Sequence, residues 1–249
     1  MAVFRMKIAG AVAEIQSIFH STPQYFRAYL TEEKPDFAFA VSPEHLHFEQ
    51  AQLDREAVEE GFRFRTFTDH FLERAAVQRA FAEYLFDRDI LLLHGSAVAL
   101  DGWGYLFTAR SGTGKSTHTR LWREAFGDRA VMINDDKPFV ALAGEDVTIF
   151  GSPWSGKHGL DSNIAVPLRG ICILERGSTD EIRPLATENA LAMLRKQAYC
   201  PMDAGKKGRF LELTAEIAGK VPLWHMECTK NITAAQTAHA AMCPQNRKE

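Results

Sequence analysis

Lys115 stands between Gly114 and Ser116 in the stretch ARSGTGKS, residues 109–116. An apolar, strand-like run leads into it and a helical pattern, KSTHTRLWREAF, leads out. Backbone N–H groups of a glycine-rich turn and of the helix start behind it converge on one anion, the arrangement of a phosphate-binding loop. That pattern usually begins with glycine where this chain has Ala109. On this reading Ser111, Gly112, Thr113, Gly114, Lys115, Ser116 and Thr117 bind the phosphates of ATP. Lys115 reaches the terminal phosphates and the Ser116 hydroxyl helps to hold Mg2+. The competing reading is a capped turn before an ordinary helix.

A second group of polar residues favours the phosphate reading. In VMINDDKP, Asp135 and Asp136 end the next apolar run, twenty residues after Lys115. Strand, loop, helix and strand of that length predict one βαβ unit, whose ligands bind at the carboxyl ends of the strands. There one carboxylate can hold magnesium while its neighbour takes the proton of an attacking hydroxyl. In isolation the same residues read as a turn before Pro138. The stretch GSPWSGKHG, 151–159, combines turn glycines, an aromatic ring and a cation, and is expected to form a loop over the site with Lys157 meeting phosphate. Arg169 is a weaker candidate of the same kind, and Trp103 and Trp154 read as packing residues. His94, judged alone, reads as a histidine satisfied within a sheet.

The elements that must position these groups follow from periodicity. Up to about residue 68 the segments are short and often alternate, as in DFAFAVS and FRFRTFT, which predicts half-buried strands and a β-rich N-terminal portion. The apolar run at 8–13 is read as a strand. Residues 69–86 change to helical spacing and predict an amphipathic linking helix. ILLLHGSAVAL and GYLFTA then read as strands joined by a turn at Asp101 and Gly102, and Gly127 caps the helix after the loop. A further strand at 130–134, a hairpin turning at 144–146, a buried strand at LRGICILERG and helices near 188–199 and 205–218 follow. The strand VPLWHME and a last helix at 232–242 complete the pattern. The expected division is 1–88, β-rich with its linking helix, and 89–249, the core that carries the loop.

Composition excludes several classes. The chain has 249 residues, 46% of them hydrophobic, enough to bury a large core. A formal charge of −3 provides no field to attract nucleic acid or an acidic membrane surface. No apolar stretch approaches the ~20 residues of a membrane span, and the short N-terminal apolar run, ended by Glu14, does not fit an export signal. Four cysteines without a CxxC pair indicate neither a zinc site nor a disulfide framework, so reduced thiols and a cytoplasmic location are expected.

The run LHGSAVALDGWGYLFTARSGTGKST, followed by INDDKP, resembles the catalytic domain of HPr kinase/phosphorylase and its relatives, which share a phosphoenolpyruvate-carboxykinase-like nucleotide fold. The similarity is firm from Leu92 to Pro138 and looser to about Gly177. It implies an α/β (α+β) P-loop core with a mixed sheet, here with a small N-terminal β-rich portion. It also implies that His94 and Gly95 line the active site, that Asp135 is the general base and that Asp136 contacts magnesium. The family's segment for phosphorylase activity and protein-substrate contact is not recognisable, and stand-alone relatives that modify ribosomal peptides are closer in size. The resulting expectation is an ATP- and Mg2+-dependent kinase acting on a hydroxyl of a small metabolite or a peptide serine. A nucleotide-dependent regulatory module with slow ATP hydrolysis and an HPr-type protein serine kinase are the alternatives. The oligomeric state is left open, a homo-oligomer included.

Overall fold

The computed structural model describes residues 1–243; the last six residues of the portion expected at 89–249 lie outside them. The chain divides into two compact units, Met1–Leu85 and Phe86–Glu249.

The first unit holds β1 (Ala2–Ile8), β2 (Ala11–Ser17), the short α1 (Thr22–Tyr25), β3 (Phe37–Ala40), α2 (Pro43–Glu60) and α3 (Asp69–Phe86). Its three strands lie in the order β1-β2-β3, with β1 antiparallel and β3 parallel to β2. The run at 8–13 is not one strand: Ile8 ends β1, Ala11 begins β2, and Ala9 and Gly10 turn between them with positive φ. The expectation of short strands up to residue 68 is corrected twice. Residues 43–60 form an 18-residue helix, and residues 62–68 contain no strand. The helix starts on Pro43 behind Ser42, whose backbone N–H donates to His45 Nδ1 at 3.1 Å, closing a capping box with histidine in place of the usual acid. Its inner face carries Glu49, 4% exposed, in a two-pronged pair with Arg79 at 2.6 and 2.8 Å. The predicted helix at 69–86 is α3.

The second unit contains β4 (Ile90–Leu92), β5 (Ser96–Leu100), β6 (Trp103–Thr108), α4 (Lys115–Phe126), β7 (Ala130–Asn134), β8 (Phe139–Ala143) and β9 (Asp146–Phe150). There follow β10 (Ala165–Arg176), β11 (Glu181–Pro184), α5 (Thr187–Gln197), α6 (Lys207–Lys220), β12 (Leu223–Cys228) and α7 (Ile232–Met242). The mixed nine-stranded sheet runs β4-β8-β9-β10-β6-β5-β7, with β12 on β10 and β11 on β12. Period-two alternation divides the apolar residues between its faces. Leu106, Ile171 and Ile173 pack with Leu194, Phe210, Leu213 and Ile217 of α5 and α6. Tyr105, Phe107, Cys172 and Leu174 pack with Trp122 of α4 and Ala234 and Ala238 of α7.

The strand–loop–helix–strand unit differs from the expected form in one respect. β6 and β7 are parallel, but β5 lies between them, antiparallel to both. β10 is parallel to β6, and β12 to β10. The carboxyl ends of β6, β7, β10 and β12 therefore share one edge of the sheet. The run 90–100, expected as one strand, breaks after Leu92: β4 pairs with β8, β5 with β6 and β7, and His94 and Gly95 lie at the break. The fold class is α/β with a mixed sheet and a small N-terminal sheet.

Candidate functional site

At the carboxyl end of β6 the chain leaves Thr108, turns through residues 109–114 and enters α4 at Lys115. Gly112 and Gly114 hold φ of 75° and 128°, a region costly for any residue with a Cβ, which is the conformational reason for glycine at both places. Lys115 Nζ donates to the Ala109 carbonyl at 3.3 Å, so the cation closes back over the loop. Ser116 and Thr117 lie in the first turn of α4, partly buried, and Ser111 and Gly112 are exposed at the loop's tip. Arg176, the last residue of β10, donates through Nη2 to the Gly112 carbonyl and through Nε to that of Thr113 at 3.3 Å. No pattern around Arg176 marks it in the sequence; the parallel pairing of β10 with β6 brings it there.

The acidic pair follows β7. Asp135 is 7% exposed, and its Oδ1 accepts from Ser96 Oγ at 2.7 Å; the same hydroxyl lies 2.7 Å from Thr119 Oγ1 of α4. Asp136 Oδ1 lies 3.4 Å from His94 Nε2. Burial holds the Asp136 carboxyl above the usual carboxylate range, against the opposing pull of Lys137 and Lys115, and the Asp135 charge adds to the rise. Burial, with the charges of Lys137 and Lys115, pushes the His94 imidazole down to about 2, so it is neutral at physiological pH. Gly95, beside it, donates its N–H to the Asp136 carbonyl at 3.0 Å. The sheet break thus joins the segment of His94 to that of the aspartates.

Asn134 fixes the geometry of the acidic turn. Its Oδ1 accepts from the N–H groups of Asp136 and Lys137 at 2.7 and 2.5 Å. Its Nδ2 donates to the carbonyls of Ser152 and Trp154 at 2.7 and 3.3 Å. The 151–159 segment is thereby tied to the aspartates, and a Cβ placed on Gly156 would lie 3.4 Å from that of Asp136. Lys157 follows in an exposed one-turn 3-10 helix, Gly156–His158. Trp154 is buried against Phe139, and Trp103 is 41% exposed beneath the Arg169 guanidinium.

Gln197 went unmarked by sequence reasoning. At the end of α5, its backbone carbonyl accepts from His94 N–H at 2.7 Å, its side-chain amide lies against the imidazole, and its buried Oε1 meets no donor among the described residues. Lys137 was legible only as part of DDKP.

Among the described residues no group of three or more His, Cys, Asp or Glu side chains is arranged to hold a metal. Magnesium carried by a nucleotide needs only one or two protein oxygens beside the phosphates. Asp136 presents a half-buried carboxylate, a donor that a cation would satisfy, and the Ser116 hydroxyl is a second oxygen suited to such an ion. The residues present fit such a group.

A family model described as "ScmC: SynChlorMet cassette protein ScmC" matches residues 76–229. No curated protein matches the sequence. Among solved structures, the HPr(Ser) kinase/phosphatase from Coxiella burnetii aligns with 10% identity and a TM-score of 0.33, over 61% of this chain and 97% of its own. No helix among the described residues is long and apolar enough to cross a membrane.

Proposed function

The chain belongs to the ScmC family, and from that premise we propose that it is an ATP- and Mg2+-dependent kinase that transfers the terminal phosphate to a hydroxyl of a small metabolite or a peptide serine. The family description names no reaction. The observation that carries the reading is the meeting, at one sheet edge, of a glycine-rich loop closed by Lys115 and two adjacent carboxylates, Asp135 and Asp136, the second of them within the electrostatic reach of the lysine's charge. The sequence resemblance to HPr kinase/phosphorylase catalytic domains points the same way.

In this reading the N–H groups of 111–117 and the Lys115 ammonium bind and orient the phosphates. Asp136 and the Ser116 hydroxyl hold Mg2+, which when bound neutralises phosphate charge. Ser96 engages Oδ1 of Asp135 and leaves Oδ2 to take the proton of the acceptor hydroxyl. Neutral His94 lines the site without adding charge, and Gly156 closes the 151–159 segment against Asp136. Lys157 supplies a further cation toward phosphate from that segment.

The test is transfer from terminally labelled ATP to small hydroxyl compounds, to Ser-containing peptides and to a folded HPr-like carrier, with Lys115→Ala beside the wild type. Labelling of a small compound or peptide that is lost in the variant is expected. Exclusive labelling of the carrier would select the protein serine kinase, and ATP hydrolysis without transfer would select the regulatory module. Unchanged nucleotide affinity in Lys115→Ala would remove the phosphate-loop reading.

A further inference from the structure

Residues 62–68, FRFRTFT, have the alternation of a strand without a strand partner, and the described structure shows what holds them instead. Phe62 N–H donates to the Ala57 carbonyl at 2.7 Å at one end. At the other, Phe67 stacks on Phe71 with ring centroids 4.7 Å apart. Between them the Gln50 side chain acts as a one-residue substitute for a neighbouring strand: its Nε2 donates to the Arg65 carbonyl at 3.0 Å and its Oε1 accepts from Phe67 N–H at 3.0 Å.

In an extended chain the polar groups of residues 65 and 67 face one edge and those of 64 and 66 face the other. Gln50 occupies the first edge. On the second, the backbone groups of Phe64 and Thr66 have no partner among the described residues. Phe62 and Phe64 are 57% and 71% exposed. Arg63 and Arg65 are exposed and have no carboxylate partner among the described residues. Adjacent exposed aromatic side chains beside an open backbone edge are the features of an interaction surface.

We propose that 62–68 is a docking strand for an extended acidic peptide segment, which adds along the Phe64 and Thr66 edge. Main-chain bonds supply the pairing, Phe62 and Phe64 cover apolar side chains of the incoming segment, and Arg63 and Arg65 oppose its carboxylates. Because Gln50 and the Phe67–Phe71 stack already hold the segment, little ordering remains to be done on binding. Charge selects this occupant over a second copy of the chain. Antiparallel self-pairing that sets like residues opposite each other would place arginine against arginine, which is destabilising. The proposal is independent of the phosphate-transfer reading.

The probe is a short fluorescein-labelled peptide of alternating Val and Glu, with a Val and Lys counterpart, followed by fluorescence anisotropy on the full chain. Preference for the acidic peptide of about tenfold is expected from two opposed charge pairs, weakening as salt is raised. The double change Arg63→Glu with Arg65→Glu should invert the preference. Thr66→Pro, which removes an N–H from the open edge, should weaken acidic-peptide binding by about tenfold. These side chains are exposed, and far-ultraviolet circular dichroism confirms folding of the variants. Equal affinity for the two peptides, or a preference that survives charge reversal, overturns the proposal. So does concentration-dependent dimerisation in sedimentation that Thr66→Pro abolishes, since the occupant would then be a second copy.

Discussion

The Ser96 hydroxyl donates to Asp135 at 2.7 Å and lies equally close to Thr119, so β5, the end of β7 and α4 meet at one oxygen. Removing it leaves a buried carboxylate short of a donor, a loss of about 1–3 kcal/mol. Ser96→Ala is therefore expected to lower stability in urea unfolding by that order and to slow phosphate transfer, with Mg-ATP affinity nearly intact. A variant as stable and as active as the wild type would show that the bond does not hold Asp135.

Asp135→Asn and Asp136→Asn should separate in their effects. General-base help contributes about 10²–10⁴-fold, so Asp135→Asn should cut the single-turnover rate by that order while nucleotide binding survives. Asp136→Asn should instead raise the magnesium concentration needed for half-maximal rate. Equal, small effects would reduce the pair to a turn before Pro138.

Gly151 has no room for a side chain: a Cβ there would sit 1.8 Å from the Ser162 carbonyl oxygen and 2.8 Å from that of Ile133. Both are backbone atoms and cannot rotate away. Gly151→Ala should cost more than ~2 kcal/mol, within the range of backbone-strain and overpacking mutants, and thermal unfolding measures it. Gly159→Ala, where nothing lies within 4 Å but φ is +60°, should cost about 1 kcal/mol.

His118 makes stability depend on pH. Buried in α4 at 2% exposure, its ring accepts from Trp122 Nε1 at 3.2 Å, and burial pushes it down to about 4. The unfolded chain protonates the same ring near 6.5. Below about 6.5 the unfolded state binds more protons, so the stabilisation present above that pH is lost as pH falls toward 4, by up to ~1.4 kcal/mol per unit. Urea unfolding between pH 7 and 4.5 checks this, and His118→Asn should flatten the slope.

Arg176 ends β10 on the carbonyls of Gly112 and Thr113. It is exposed, so Arg176→Ala should lower the melting temperature only slightly, while a loop no longer held in its binding shape should bind Mg-ATP severalfold more weakly. Calorimetric titration decides it, and equal affinities would mean that the loop keeps its shape unaided.

Much of the second unit was legible because its residues obey simple periods. Tyr105 and Phe107 alternate with Leu106 across the sheet, and α4 begins at Lys115 behind two glycines. The helix at 43–60 was illegible because its inner face is carried by Glu49 paired with Arg79, a polar contact that an apolar period cannot reveal. Its capping box uses His45, outside the usual signature. FRFRTFT has the period of a strand, but Gln50 satisfies its backbone in place of a neighbouring strand. At the site, the loop and the paired acids announced themselves by spacing. Ser96, Arg176 and Gln197 did not, since strand order and the fold of α5 bring them in from distant parts of the chain.

Asn134 joins the acidic turn to the 151–159 segment through one planar amide that donates on one side and accepts on the other. Conversion of that amide to a carboxylate would change neither the volume nor the outline of the side chain. It would replace the donating nitrogen with an oxygen facing the carbonyls of Ser152 and Trp154, turning attraction into repulsion. Asn134 is fully buried, so an aged molecule would hold an unpaired carboxylate inside the protein, and stored protein would lose the coupling between segment and acids together with part of its stability.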